Sequence, residues 1–163
     1  MTRRQLISLM SLLGLGSAAA RAAAPSAAGA AAPEPLRLSD AQWRGRLDAA
    51  QYRVLRQHGT ERPGSSPLNQ EKRAGSYHCA GCDLPLFASA SKYESGTGWP
   101  SFFSALPGAL GTRSDYSLVL PRTEYHCARC EGHQGHVFGD GPPPTGKRYC
   151  NNGVALRFVA EAA

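Results

Sequence analysis

The sequence predicts a mainly β domain, antiparallel and rich in loops, entered through short N-terminal helices and stapled by a metal. Three observations carry this. From Tyr77 onward, short apolar and alternating segments are separated by turn formers. Two C-x-x-C pairs, Cys79/Cys82 and Cys127/Cys130, have the spacing of zinc knuckles. Two helix-start signals, Ser39-Asp-Ala-Gln42 and Asp48-Ala-Ala-Gln51, precede the β region.

Taken in order, the chain of 163 residues is one domain with an N-terminal extension. Residues 1–30 read as an export leader. Arg3 and Arg4 form a twin arginine, Leu6 to Leu15 is apolar but short for a membrane span, and small-residue cleavage possibilities follow. The expected address is the periplasm by the twin-arginine route. A protein that loads metal on reduced thiols is better folded before it meets an oxidising compartment. Residues 31–37, with Pro33 and Pro35, read as a linker, and residues 38–160 as the domain.

Each capping box predicts a short helix, the second with Tyr52 and Leu55 on one face and Gly59 at its C-terminal stop. Gly59 to Gly75 is polar and turn-rich and reads as a long irregular loop. Tyr77-His78 leads into the first knuckle and Leu84-Pro-Leu-Phe87 leaves it. Tyr116-Ser-Leu-Val-Leu120 and Thr123-Glu-Tyr-His126 read as strands joined through Pro121-Arg122, and Val154-Ala-Leu-Arg-Phe158 as the last strand.

The net charge of +6 overstates the domain: without Arg3, Arg4 and Arg21 the balance is 15 basic against 12 acidic residues, or +3. That is no electrostatic footprint for nucleic acid. Four of the five cysteines pair as knuckles, which favours one Zn²⁺ over two structural disulfides. A redox C-x-x-C reading lacks its βαβ context. Cys150 is then left over, with Arg148 two positions away and on the same side of an extended segment, where a cation favours a thiolate. His133 and His136 suit metal ligation, core packing or acid–base work. Four cysteines completing a tetrahedral site leave them for the last.

Ser95-Gly-Thr-Gly-Trp-Pro-Ser-Phe102, the paired C-x-x-C motifs, His133-x-x-His136-Val-Phe and Arg148-Tyr-Cys150-x-Asn152 together resemble the type B methionine-R-sulfoxide reductases, from about Leu38 to Phe158. The resemblance implies two antiparallel sheets with N-terminal helices, a β-tent, and one structural zinc on Cys79, Cys82, Cys127 and Cys130. It implies reduction of methionine-R-sulfoxide in proteins, as a repair of oxidative damage. Cys150 matches the nucleophile. His133, His136 and Asn152 match groups that bind the sulfoxide oxygen and supply protons. Trp99 matches the indole against the S-methyl group, Arg148 the arginine beside the nucleophile, Asp140 an acid near the histidines, and Phe138 an apolar pocket wall. The implied partners are oxidised proteins or peptides and a thioredoxin-like or small-thiol reductant, with the enzyme a monomer.

The sequence departs from the common pattern at Thr97, where many relatives carry a resolving cysteine, at Gly139, where an acid is often seen, and at Asn151 and Gly153 beside Asn152. A binding zinc ribbon accounts for the four cysteines but not for Cys150, Trp99 or the histidines. A zinc hydrolase needs an open metal position, which four thiolates do not leave.

Overall fold

The computed structural model describes residues 32–162; the expected leader lies outside them. Both helix-start signals form reciprocal capping boxes. In α1 (Asp40–Arg46) the Gln42 amide donates to Ser39 Oγ at 3.3 Å and the Ser39 amide to Gln42 Oε1 at 2.8 Å. In α2 (Ala49–Gln57) Asp48 and Gln51 exchange the same pair of bonds. The left-handed C-terminal residue of α2 is His58, with φ 55°, not Gly59; Gly59 follows it and its N–H closes on the Arg53 carbonyl at 2.9 Å. No described helix is long and apolar enough to cross a membrane.

Among the described residues nine strands follow: β1 (Gly75–Cys79), β2 (Pro85–Ala88), β3 (Lys92–Tyr93), β4 (Ser101–Phe102), β5 (Leu110–Asp115), β6 (Arg122–Cys127), β7 (His133–Phe138), β8 (Arg148–Asn151) and β9 (Leu156–Ala160). They form two sheets, β2-β1-β9 and β3-β4-β8-β7-β6-β5, in which every pairing is antiparallel. The fold is therefore the expected mainly β one, with two antiparallel sheets and two short helices.

Aromatic rings join the sheets. Tyr77 and Phe87 of the small sheet meet Phe102 of the large one at centroid distances of 4.9 and 4.2 Å. Tyr125 and Tyr149 extend the cluster. Tyr77, Phe87, Phe102 and Tyr125 are wholly buried. Pairs of this kind add about 0.5–1.5 kcal/mol each beyond the burial of their area.

Two expected strands are corrected. Tyr116 to Leu120 is not a strand: the β5–β6 ladder stops at the pair Asp115↔Arg122. Asp115 Oδ1 accepts the Ser117 amide at 2.9 Å, a local turn that competes with continuing the ladder. The preceding strand is Leu110–Asp115 instead. The last strand starts later than expected, at Leu156, because Gly153–Ala155 forms a 3₁₀ turn.

Candidate active site and metal centre

The two knuckles are built alike. Asp83 N–H donates to the Cys79 carbonyl at 2.8 Å and Glu131 N–H to the Cys127 carbonyl at 2.9 Å. Asp83 and Glu131 both have positive φ, at 65° and 58°. All four thiols are buried and their sulfurs lie within 4.8 Å of one another. Cys79–Cys130 and Cys82–Cys127 approach to 3.6 and 3.4 Å, too long for disulfides of about 2.05 Å and near the edge of roughly 3.8 Å expected for a tetrahedron with Zn–S bonds of about 2.3 Å. The donor set thus fits a closed tetrahedral ion. Arg46 of α1, Arg56 of α2 and Arg129 of the second knuckle donate to the carbonyls of Gly81, Cys130 and Cys82, so positive charge rings the cluster.

Cys150 stands apart from that cluster, in the middle of the large sheet. One row of facing residues runs Tyr93, Ser101, Cys150, His136, Glu124, Arg113 across strands β3, β4, β8, β7, β6 and β5. Because facing residues share a side, nucleophile and histidine are presented together by backbone register. Gly135, beside His136, permits the close approach: a Cβ there would stand 1.9 Å from the Cys150 carbonyl oxygen.

A β-bulge lies between the two histidines. Gly135 faces Tyr125 and His133 faces His126, leaving Gln134 without a partner across the ladder. With that residue bulged out, His133 and His136 fall on one side, with ring centroids 5.5 Å apart. Gln134 points the other way and donates from Nε2 to Cys79 Sγ at 3.3 Å. Each histidine has its own carboxylate. His133 Nδ1 lies 2.7 Å from Glu124 Oε1, and Glu124 also receives a two-point bond from Arg113. His136 Nε2 lies 2.7 Å from Asp115 Oδ2, which also accepts from Arg122.

These contacts set the charges. Burial alone would raise Glu124, but hydrogen bonds from Arg113 and His133 outweigh it and bring its pKa to about 2. Hydrogen bonds from Ser117 and His136 likewise hold Asp115 well below the carboxylate range. Burial lowers His133 against the pull of Glu124 and so favours the neutral ring. A carboxylate only accepts, so His133 Nδ1 carries the proton, and Nε2 is buried with no hydrogen-bond partner among the described residues. Burial pushes the Cys150 thiol up, while the Arg148 charge and the Thr97 hydroxyl favour its thiolate.

A cavity of ≈ 130 Å³ opens on the nucleophile, walled by Trp99, Phe138, His136, Cys150, Asn152 and Arg122, among others. A larger depression of ≈ 550 Å³ beside Lys72 and Lys92 is lined by no cysteine or histidine. Trp99 is fixed by its indole N–H donating to the Glu61 carbonyl at 3.2 Å. Asn152 is fixed twice, accepting from the Glu61 amide and donating to the Gln134 carbonyl, both at 3.0 Å, which leaves one amide hydrogen for a ligand. Thr97, Ser95 and Ser101 form a hydroxyl chain with spacings of 2.8 and 2.7 Å beside Cys150.

Five of the residues singled out in the sequence therefore meet at one cavity: Cys150, His136, Asn152, Trp99 and Phe138. His133 stands behind through its contact with the His136 ring. Arg148 lies over the Phe138 ring at 4.3 Å and makes a two-point pair with Asp140. Asp140 thus partners the arginine; the acids on the histidines are Glu124 and Asp115, which sequence reasoning missed. Glu124 had a signal, a lone charge inside an alternating strand. Glu61, whose carboxylate accepts the Gly153 and Val154 amides, lies in an irregular loop and had none.

The SelR domain family matches residues 47–160. The chain is 55% identical over 118 residues, 72% of its length and 89% of the relative's, to the peptide methionine sulfoxide reductase MsrB of Pseudomonas putida (strain W619). It is 52% identical over 121 residues to the protein of the same name from Agrobacterium fabrum, covering 74% of this chain and 90% of that one. Peptide methionine sulfoxide reductase B1, chloroplastic, of rice is 48% identical over 122 residues, 74% of this chain and 57% of that one.

Proposed function

The chain belongs to the SelR domain family and is a peptide-methionine (R)-S-oxide reductase, and we propose that its nucleophile is Cys150. The observation that carries the assignment is the place of Cys150: the cysteine outside the four-thiol cluster opens on the cavity walled by Trp99 and Phe138, with His136 facing it.

The Cys150 thiolate attacks the sulfoxide sulfur while the oxygen is protonated through the histidine pair. Sulfoxide oxygen passes to the cysteine, methionine leaves, and Cys150 remains as a sulfenic acid. His136, held by Asp115, binds the oxygen with the free amide hydrogen of Asn152, and His133, held by Glu124, stands behind it; the resting Nε2 of His133 carries no proton, so the pair relays protons taken up from solvent. Trp99 and Phe138 receive the methyl group, and that apolar wall selects the R epimer. Arg148 favours the thiolate, and Asp140 steadies Arg148.

Recovery uses an external thiol. The other four cysteines are gathered in the metal cluster and position 97 is threonine. The sulfenic acid therefore reacts with a thioredoxin-like dithiol or with two small thiols, giving water, a disulfide of the reductant and free Cys150. One zinc ion per chain, on Cys79, Cys82, Cys127 and Cys130, stabilises the fold and takes no part in the chemistry. The working form is a monomer that repairs oxidised proteins.

A single turnover tests this. Reduced, zinc-loaded enzyme is mixed with stoichiometric methionine-R-sulfoxide; thiols, released zinc and intact mass are then measured. The expected result is one thiol lost, zinc retained and about one oxygen gained. A disulfide to Cys150 with two thiols lost refutes the scheme. The domain at residues 38–160, the linker at 31–37, and export through residues 1–30 belong to the same reading. Arg3→Lys with Arg4→Lys should hold the precursor in the cytoplasm, and unchanged export would discard the twin-arginine route.

A further inference from the structure

The large hydrophobic side chains exposed among the described residues all fall in one loop: Tyr116 at 74%, Leu118 at 57%, Val119 at 100% and Leu120 at 76%. Scattered exposed apolar residues are ordinary, but four in one segment mark an interaction surface. The segment between Asp115 and Arg122 carries no charge.

Both ends of this loop are tied to the catalytic cavity, one through His136 and one directly. Asp115, at its start, is the carboxylate that holds His136. Arg122, at its end, lines the cavity and pairs with Asp115 at 2.7 Å. The apolar loop is therefore continuous with the rim of the pocket. The cavity, at ≈ 130 Å³, has room for one side chain. The residues on either side of a bound methionine sulfoxide must leave over that rim.

We propose that the loop Tyr116–Leu120 is a docking surface for the substrate polypeptide, gripping apolar residues that flank the oxidised methionine. Methionine fills apolar cores and interfaces, and its oxidation disrupts that packing and exposes the apolar neighbours. Such an extended segment offers the complement to an uncharged apolar rim. The proposal deepens the reductase reading and rests on it for the identity of the side chain in the pocket.

The test uses the full zinc-loaded protein and the triple variant Leu118→Ser, Val119→Ser, Leu120→Ser, which leaves the Asp115–Arg122 pair in place. Three substrates are compared: N-acetyl-methionine-R-sulfoxide, a peptide with the sulfoxide between leucines, and one with it between serines. The wild type should favour the leucine peptide over the serine peptide by about tenfold in kcat/KM, the order expected for burying one aliphatic side chain. The triple variant should lose that preference while turnover of the N-acetyl substrate stays within about twofold. Fluorescence anisotropy of labelled peptides reads the surface without turnover. If the wild type reduces no sulfoxide, the reductase reading fails, and the variant's loss of leucine-peptide binding still decides the surface. Equal preference in wild type and variant overturns the proposal. So does a wild-type dimer that the variant dissociates, or loop-dependent binding to phosphatidylcholine vesicles with no peptide preference.

Discussion

His136 faces Cys150 directly across the β7–β8 ladder. Their separation is set by main-chain hydrogen bonds, not by the packing of long side chains. A site carried on paired strands holds its geometry more tightly than one carried on loops. Register is the quantity that substitutions should be chosen to disturb.

Gly135→Ala disturbs it at one atom. The new Cβ would fall 1.9 Å from the Cys150 carbonyl oxygen, a backbone atom that cannot swing aside. The strands must separate, at a cost of about 1–3 kcal/mol or more for forced overpacking. We expect a melting temperature several degrees lower and turnover reduced by more than about tenfold, since a displacement near 1 Å at reacting groups costs up to 10²-fold. Thermal unfolding and steady-state rates check both. A variant with wild-type turnover would mean that the register tolerates opening here.

The nucleophile predicts a pH effect. Burial raises the Cys150 thiol and Arg148 opposes that rise. Alkylation by iodoacetamide, on zinc-loaded enzyme, should accelerate as pH climbs through and beyond the ordinary thiol value of about 8.5. In Arg148→Ala the same limb should lie at higher pH, because a charge that favours the thiolate is gone. A shift of one unit slows alkylation at pH 7 by about tenfold. An unmoved limb would confine Arg148 to stacking on Phe138.

Glu124 predicts an acid effect of opposite sign. Its folded pKa is about 2, below the unfolded value of about 4.3. The unfolded chain therefore takes up this proton first as pH falls. The contribution to stability is complete above pH 4.3 and is lost between there and about pH 2. Urea midpoints should decline through that window in the wild type, and decline less in Glu124→Gln. Losses common to both proteins, including acid release of zinc, cancel in the comparison.

Zinc removal should act on folding first. Cys127→Ser removes one ligand of the cluster and leaves the cavity residues untouched. Structural zinc contributes apparent folding free energy of about 10–16 kcal/mol in small domains, so partial loss should lower solubility and melting temperature. Metal analysis of the wild type should give one zinc per chain. Fully folded, active protein without zinc would remove the metal from the account.

Local features were legible in the sequence and cross-sheet features were not. The capping boxes sit within a few residues, so both helix starts were readable. The knuckle cysteines carry their own spacing. Cys150 and His136 stand out once the knuckle cysteines are set aside, whereas Trp99, Phe138 and Asn152 come only through motif resemblance. Asp115 and Glu124 serve the histidines from neighbouring strands, and a partner chosen by register leaves no mark beside the residue it serves. Tyr116 to Leu120 has a strand's apolar composition, yet its four large side chains face water. Glu61 reaches Trp99, Asn152 and Gly153 through its backbone and carboxylate together, from a loop with no periodicity.

The unpaired Gln134 in β7 also sets what a change of chain length would do here. Deleting that single residue would restore an unbroken ladder between β6 and β7, and by backbone criteria the sheet would improve. With a period of two, His133 would then stand two residues before His136 and keep its side, next to Glu124 and the His136 ring. The tie from Gln134 to Cys79 would vanish with the deletion. What the extra residue adds is that tie: a side chain turned away from the histidines that joins their strand to the thiol cluster, so a chain one residue shorter would keep the histidine pair and lose its link to the metal ligands.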